Sequence, residues 1–229
     1  MKDTATDRAL NLALRESAFA NRPLSARRLT IMLVLWACTL GAGFGYLAWY
    51  SNAPGPAGTP PKHWPAGSLV QQNREQPTLL MFIHPGCPCT QASLEQLARI
   101  LAQCKGLADV YAVFVRPPGV PRGWKRADNW RTAAAIPEAH MVVDEEGAEA
   151  RRFGATTSGH VQLYDAQGNL RFSGGITGAR SHAGDNAGAD AVQSWIRRGM
   201  ADRQDTFVFG CPLFNSLSEC NRGELECHS

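Results

Sequence analysis

Charged residues are scarce in this chain. They make up 19% of its 229 residues, against 44% hydrophobic. That balance excludes a disordered polyelectrolyte and leaves enough apolar material for a core. A strong net charge is also missing: the total is +3, too small for a protein whose main partner is nucleic acid. The 22 glycines and 14 prolines follow no period, which excludes collagen-like and low-complexity classes. There is no internal repeat, no Ser-His-Asp order and no zinc-protease motif. The Gly-rich stretch 174–188 carries His182 and Asp185 but lacks the Walker spacing, so it reads as a loop that shapes access rather than a phosphate site. On a prior of roughly 150 residues per domain, the length implies one domain with appendages.

What charge there is lies unevenly. Residues 1–28 hold six Lys/Arg against three Asp/Glu, so residues 29–229 sum to zero. The basic excess precedes residues 29–50, LTIMLVLWACTLGAGFGYLAWY, which carry no charge at all. At about 1.5 Å per residue a helix of this length crosses a hydrocarbon core of about 30 Å. Trp49 and Tyr50 close it with interfacial aromatics, and no positive charge follows until Lys62. The positive-inside tendency then predicts a cytoplasmic tail (1–28), one transmembrane helix (29–50) anchored in the inner membrane, and a periplasmic remainder. A cleaved signal peptide is the competing reading. Its apolar core would normally be shorter, and the nearest small-residue site, Ser51-Asn52-Ala53, is followed by Pro54. Residues 51–66 read as a Pro/Gly-rich tether holding the domain off the bilayer.

Beyond the tether, strands and helices alternate. Apolar runs predict strands at 78–83, 109–115, 140–143, 161–164 and 170–173, the last two joined by the turn-rich 165–169. Helices are expected at 90–104, 128–135, 145–153 and 189–200. In the first of them Leu94, Leu97, Ala98 and Leu101 share one face. The order β-α-β-α-β-α-β-β-α implies a mixed α/β fold, a parallel sheet with an antiparallel edge, over 67–203.

Two cysteines stand where the first strand hands over to a helix, in His84-Pro85-Gly86-Cys87-Pro88-Cys89-Thr90. Helix N-termini stabilise negative charge, so a thiolate there is favoured and the thiol pKa falls. A protonated His84 would add to this. The site suits a nucleophilic sulfur with a second sulfur beside it to resolve a mixed disulfide. The spacing is Cys-x-Cys, one residue tighter than Cys-x-x-Cys. Adjacent thiolates also suit a soft ion such as Cu(I).

The segments MFIHPGCPCTQASL and FGATTSGHVQLYDAQGNLRFSGGIT, within residues 65–200, resemble the thioredoxin-like superfamily, in particular the membrane-tethered, extracytoplasmic thiol–disulfide proteins of bacteria, and more narrowly RedB-like proteins. The resemblance implies a thioredoxin-like fold and thiol–disulfide oxidoreductase activity on a protein thiol or disulfide. Cys87, Cys89 and His84 would then be catalytic, and no cofactor would be needed. Two departures stand out. The cysteines are separated by Pro88 alone, and the proline that faces the cysteines in thioredoxins is absent. Ser158 or Gly159 falls in its place, so Pro88, Ser158 and Gly159 are expected to shape substrate access. The same count places His160 near the thiols, which raises an alternative: a copper-binding assembly protein using Cys87, Cys89 and His160.

The remaining cysteines carry weaker expectations. Cys38 lies in the apolar span as a small filler, and Cys104 falls on the buried helix face as an inert thiol. The tail 204–229 holds Cys211, Cys220 and Cys227 beside His228. Export favours a disulfide such as Cys211 with Cys220 or Cys227, or a tail without fixed structure. Exchange of a tail cysteine with Cys87 or Cys89 is a further option.

Overall fold

The computed structural model describes residues 25–116, 122–126 and 128–214. Two compact units divide at residues 48/49. The described part of the first lies in α1 (Ala26–Asn52), which runs on past the division and none of whose residues is buried. It is a helix long and apolar enough to cross a membrane.

The second unit contains β1 (Thr78–Ile83), α2 (Thr90–Gln103), β2 (Asp109–Arg116), a 3₁₀ turn (Arg122–Arg126), α3 (Asp128–Ala134), β3 (Ala139–Glu145), α4 (Ala148–Arg152), β4 (His160–Tyr164), β5 (Leu170–Gly174) and α5 (Ala187–Arg198). The sheet order is β3-β2-β1-β4-β5. β1, β2 and β3 run parallel, while β4 is antiparallel to β1 and β5 to β4. This is the thioredoxin-like layout that the sequence implied, with the expected element order.

β1 sits at the sheet centre and is buried along its whole length, which explains its unbroken apolar run. Its alternation splits the core in two. Leu79, Met81 and Ile83 meet Leu94, Leu97 and Leu101 of α2 and Val192 and Ile196 of α5. Leu80 and Phe82 face the other way, onto Val70, Phe153, Tyr164 and Leu213. Cys104 closes α2 inside the first cluster as a buried free thiol, as expected, and burial raises its pKa. Asp144, first of the acidic run Asp144-Glu145-Glu146 before α4, has a capping role. The Asp144 carboxylate accepts from the N–H groups of Glu149 (2.9 Å) and Ala150 (2.8 Å).

Two segments are more ordered than their composition suggested. The tether expected at 51–66 runs along the second unit instead of standing free. Gly55 N–H donates to the Val208 carbonyl (2.8 Å) and Thr59 N–H to the Gly154 carbonyl (3.0 Å). Thr157 Oγ1 donates to the Pro56 carbonyl at 2.7 Å. Trp64 packs edge-on against Phe153 and Tyr164, with ring centroids 5.1 and 5.2 Å away. Proline has no N–H to offer, but its carbonyl still accepts, and an aromatic anchor fixes the register.

The tail expected from 204 also belongs to the fold through residue 213. Ser173 N–H donates to the Gln204 carbonyl (2.9 Å) in an isolated parallel bridge beside β5. Pro212 makes an antiparallel bridge with Thr157, and Leu213 is fully buried. Cys220, Cys227 and His228 lie outside the described residues.

Candidate thiol site

The β1–α2 junction is a sequence of tight turns. Cys87 N–H donates to the His84 carbonyl (3.1 Å), Thr90 N–H to the Cys87 carbonyl (3.2 Å) and Gln91 N–H to the Pro88 carbonyl (3.4 Å). Cys89 is the N-cap of α2 but gives it no side-chain hydrogen bond. Asn129 of α3, itself buried, holds the junction from the side. Its amide donates to the carbonyls of Cys87 (2.8 Å) and Pro85 (3.1 Å). The sequence reading gave Asn129 no role, because nothing local marks it.

The structure brings a third sulfur to the pair, and it is Cys211. The ligand atoms of Cys87, Cys89 and Cys211 all lie within 4.8 Å of one another. Cys211 N–H donates to Cys87 Sγ at 3.4 Å. None of the three is bonded to another described cysteine, and Cys220 and Cys227, the tail partners expected for Cys211, lie outside the described residues. Backbone contacts hold Cys211 in place. Ser158 N–H donates to the Cys211 carbonyl (2.8 Å) and Leu213 N–H to the Thr156 carbonyl (2.8 Å). The Arg180 guanidinium donates to the Gly210 carbonyl at 2.7 Å.

These contacts decide which sulfur is charged. The Cys211 thiol and the Cys89 thiol hydrogen-bond to Cys87, with Thr90 and the Cys211 N–H adding to them, and together they push the Cys87 thiol far below its usual range against the cost of burial. The Cys211 thiol moves the opposite way. Hydrogen bonding with Cys87 and then with Cys89 raises its pKa, with burial adding to the effect. The opposite directions of the two shifts favour Cys87 as the site of the thiolate.

His84 stands beside the motif, but not as the helping cation that the sequence suggested. Burial lowers its pKa, the Cys87 charge opposing, and its Nδ1 accepts the Gly86 N–H at 3.2 Å. A neutral ring accepting at Nδ1 positions the loop. The donors that favour the thiolate come from Cys211, Cys89 and Thr90.

The two residues at the missing-proline position are buried and already engaged. Ser158 Oγ accepts the His84 N–H (2.8 Å) and shares a hydrogen bond with Thr90 Oγ1 (2.6 Å). Its own N–H is taken by Cys211. Gly159 donates to the Phe82 carbonyl (2.8 Å). Its φ of +87°, with Ser93 Oγ 3.0 Å from where a Cβ would lie, requires glycine. Pro88, by contrast, is exposed. The segment around Cys211 thus occupies the surface expected to serve a substrate, and Cys87 is only 1% exposed.

His160 does not join the thiols. It pairs with Phe82 across the β1–β4 ladder, so it shares Phe82's side of the sheet, the side opposite the core formed with α2. Its Nε2 hydrogen-bonds Ser173 Oγ at 2.7 Å, and its Nδ1 has no partner among the described residues. The copper set Cys87, Cys89 and His160 is therefore corrected by strand alternation.

Burial pushes the His160 pKa down to about 4. The folded state then holds the ring neutral while the unfolded chain takes up a proton below about 6.5. Stability is expected to fall between pH 6.5 and 4, by roughly 1.4 kcal/mol per pH unit from this residue. Denaturant unfolding across that window should show a shallower pH slope in His160→Gln than in the parent. Parallel slopes would contradict the assignment.

No family model matches this chain, and no curated protein matches it. Solved structures do. A hypothetical protein from Sinorhizobium meliloti is 18% identical with a TM-score of 0.53, the match covering 68% of this chain and 94% of that one. An uncharacterized conserved protein from Geobacillus kaustophilus is 15% identical with a TM-score of 0.50, covering 72% and 93%. A secreted Mycobacterium tuberculosis disulfide oxidoreductase is 15% identical with a TM-score of 0.39, covering 55% and 82%. At these identities the likeness is one of fold alone.

Proposed function

We propose that this chain is a membrane-anchored, extracytoplasmic thiol–disulfide exchange protein in which Cys87 is the attacking sulfur. The observation that supports this most is the contact of the Cys211 N–H with Cys87 Sγ at 3.4 Å, with two further thiols beside it. It is a built environment for a thiolate at a strand–helix junction. The apolar α1 supports the anchor, and the basic residues before it support an amino terminus inside with the thiol domain in the periplasm.

Exchange would run in two steps. The Cys87 thiolate attacks one sulfur of a substrate disulfide. The substrate's S–S bond breaks, a Cys87–substrate S–S bond forms, and the second substrate sulfur leaves as a thiolate that takes up a proton. Cys89, deprotonated, then attacks Cys87 Sγ. This forms a Cys87–Cys89 disulfide and releases the first substrate sulfur as a thiol. The substrate gains two electrons and the protein loses two; the reverse sequence oxidises a dithiol. With Cys87 covered, the segment at 210–213 gives way before a protein substrate reaches it. The chemistry needs no cofactor.

The full-length chain in detergent, reduced and desalted, is expected to cleave a disulfide-linked fluorogenic peptide stoichiometrically. Failure to release fluorescence at any pH from 6 to 9 would overturn the reading.

A further inference from the structure

We propose that Cys87, Cys89 and Cys211 together form a binding site for one cuprous ion, with Cys211 as the ligand that completes it. The inference does not rest on the exchange reading, since it concerns a second use of the same sulfurs.

The geometry fits. The three ligand atoms lie within 4.8 Å of one another without being bonded. A metal–sulfur bond of about 2.3 Å, as in zinc thiolates, sets three trigonal sulfurs about 4 Å apart. The donor set is also selective. It holds three sulfurs and no carboxylate or imidazole, which favours a soft ion. Zinc in structural sites takes four ligands, and among the described residues this group offers three. Cuprous ion is the soft ion whose preference three thiolates can meet.

The ligands are held before any metal arrives. Asn129 holds the Cys87 carbonyl, and Cys89 is fixed at the helix start. Cys211 is pinned by Ser158 on one side and, through the Thr157–Pro212 bridge, on the other. Such fixation lowers the cost of ordering three side chains around one ion. Exposure differs in a useful way: Cys87 and Cys89 are buried while Cys211 is partly open. An ion handed on to a soft-donor partner would leave past Cys211. Copper and disulfide substrates then compete for Cys87, so a loaded site is closed to exchange.

The test uses the full-length chain in detergent, reduced and held without oxygen. Cu(I) is titrated in competition with bicinchoninate, and the loaded sample is read by X-ray absorption. One copper per chain with three sulfur neighbours is expected. Because changes to outer groups alone cost metal sites about 10–100-fold, loss of the ligand in Cys211→Ser is expected to weaken binding about 100-fold or more, with two sulfurs remaining. A Cys220→Ser/Cys227→Ser double variant should bind as the parent does. Two sulfurs in the parent, or unchanged affinity in Cys211→Ser, would overturn the site. The metal-free chain is assayed separately for its thiol–disulfide transition. A transition without copper binding sinks this inference alone, and copper binding without a transition sinks the exchange reading alone.

Discussion

Cys87→Ser is expected to lower the rate of disulfide cleavage by about 10³-fold or more, since the sulfur whose thiolate the site favours is gone. The partner variant should behave differently. Cys89→Ser retains the Cys87 nucleophile, so the first step proceeds and the second does not, and a mixed disulfide between Cys87 and the substrate accumulates to one per chain. Mass spectrometry of the trapped adduct distinguishes the two. Cys104→Ser should leave exchange intact. Its thiol lies in the core beneath α2, and the buried hydroxyl costs about 1–3 kcal/mol of stability instead. Full activity in Cys87→Ser, or an adduct on Cys104, would place the chemistry elsewhere.

Cys211→Ala is expected to raise the Cys87 thiol pKa by about 1–2 units, which is the loss of one hydrogen bond to a charged group. The sign follows from which form the bond favours. The Cys211 thiol donates to the Cys87 thiolate, so removing it destabilises the charged form alone. The alanine keeps the Cys211 N–H and its 3.4 Å contact, so the shift is partial. The pH midpoint of Cys87 alkylation should therefore move up in the variant, and Cys211→Ser, whose hydroxyl also donates, should restore part of it. A change in alkylation rate without a change in midpoint would mean that Cys211 only shields Cys87. An unchanged profile would remove it from the site.

Why Cys211 had to be found in the structure is instructive. The Cys87/Cys89 pair was legible because its setting is local: an apolar strand, a turn, then a helix with its leucines at helical spacing. The core strands were legible for the same reason, β1 ending at Ile83 as its apolar run does. Cys211 lies 122 residues beyond Cys89 in a stretch of Gly, Pro and Phe with no periodicity. Its position is set by backbone hydrogen bonds to residues 156–158, which leave no mark on side-chain identity. Composition misled in the same way at 51–66, where prolines that read as a spacer accept hydrogen bonds from Thr157 and Tyr164.

His160 shows the opposite failure. Its place in the chain beside Gly159 is close to the thiols, yet the turn at Ser158-Gly159, with Gly159 at φ +87°, separates the direction of the Ser158 side chain from that of His160 in β4. Ser158 therefore reaches His84 and Thr90, whereas His160 reaches Ser173 behind the sheet. The absent proline was legible, and so were Ser158 and Gly159 in its place, but what Ser158 does there was not. A buried serine that ties the motif loop, α2 and the 210–213 segment together is visible only once those three are side by side.

The most direct test of the account is a redox titration of the metal-free, full-length chain. Samples are equilibrated in graded thiol–disulfide buffers, the free thiols are trapped in acid, and the state of each cysteine is read by peptide mass spectrometry. The account predicts one reversible two-electron transition that joins Cys87 to a neighbouring sulfur, at a potential within the range of about −120 to −270 mV spanned by thiol oxidoreductases. Cys87 remaining reduced across that whole range would contradict it.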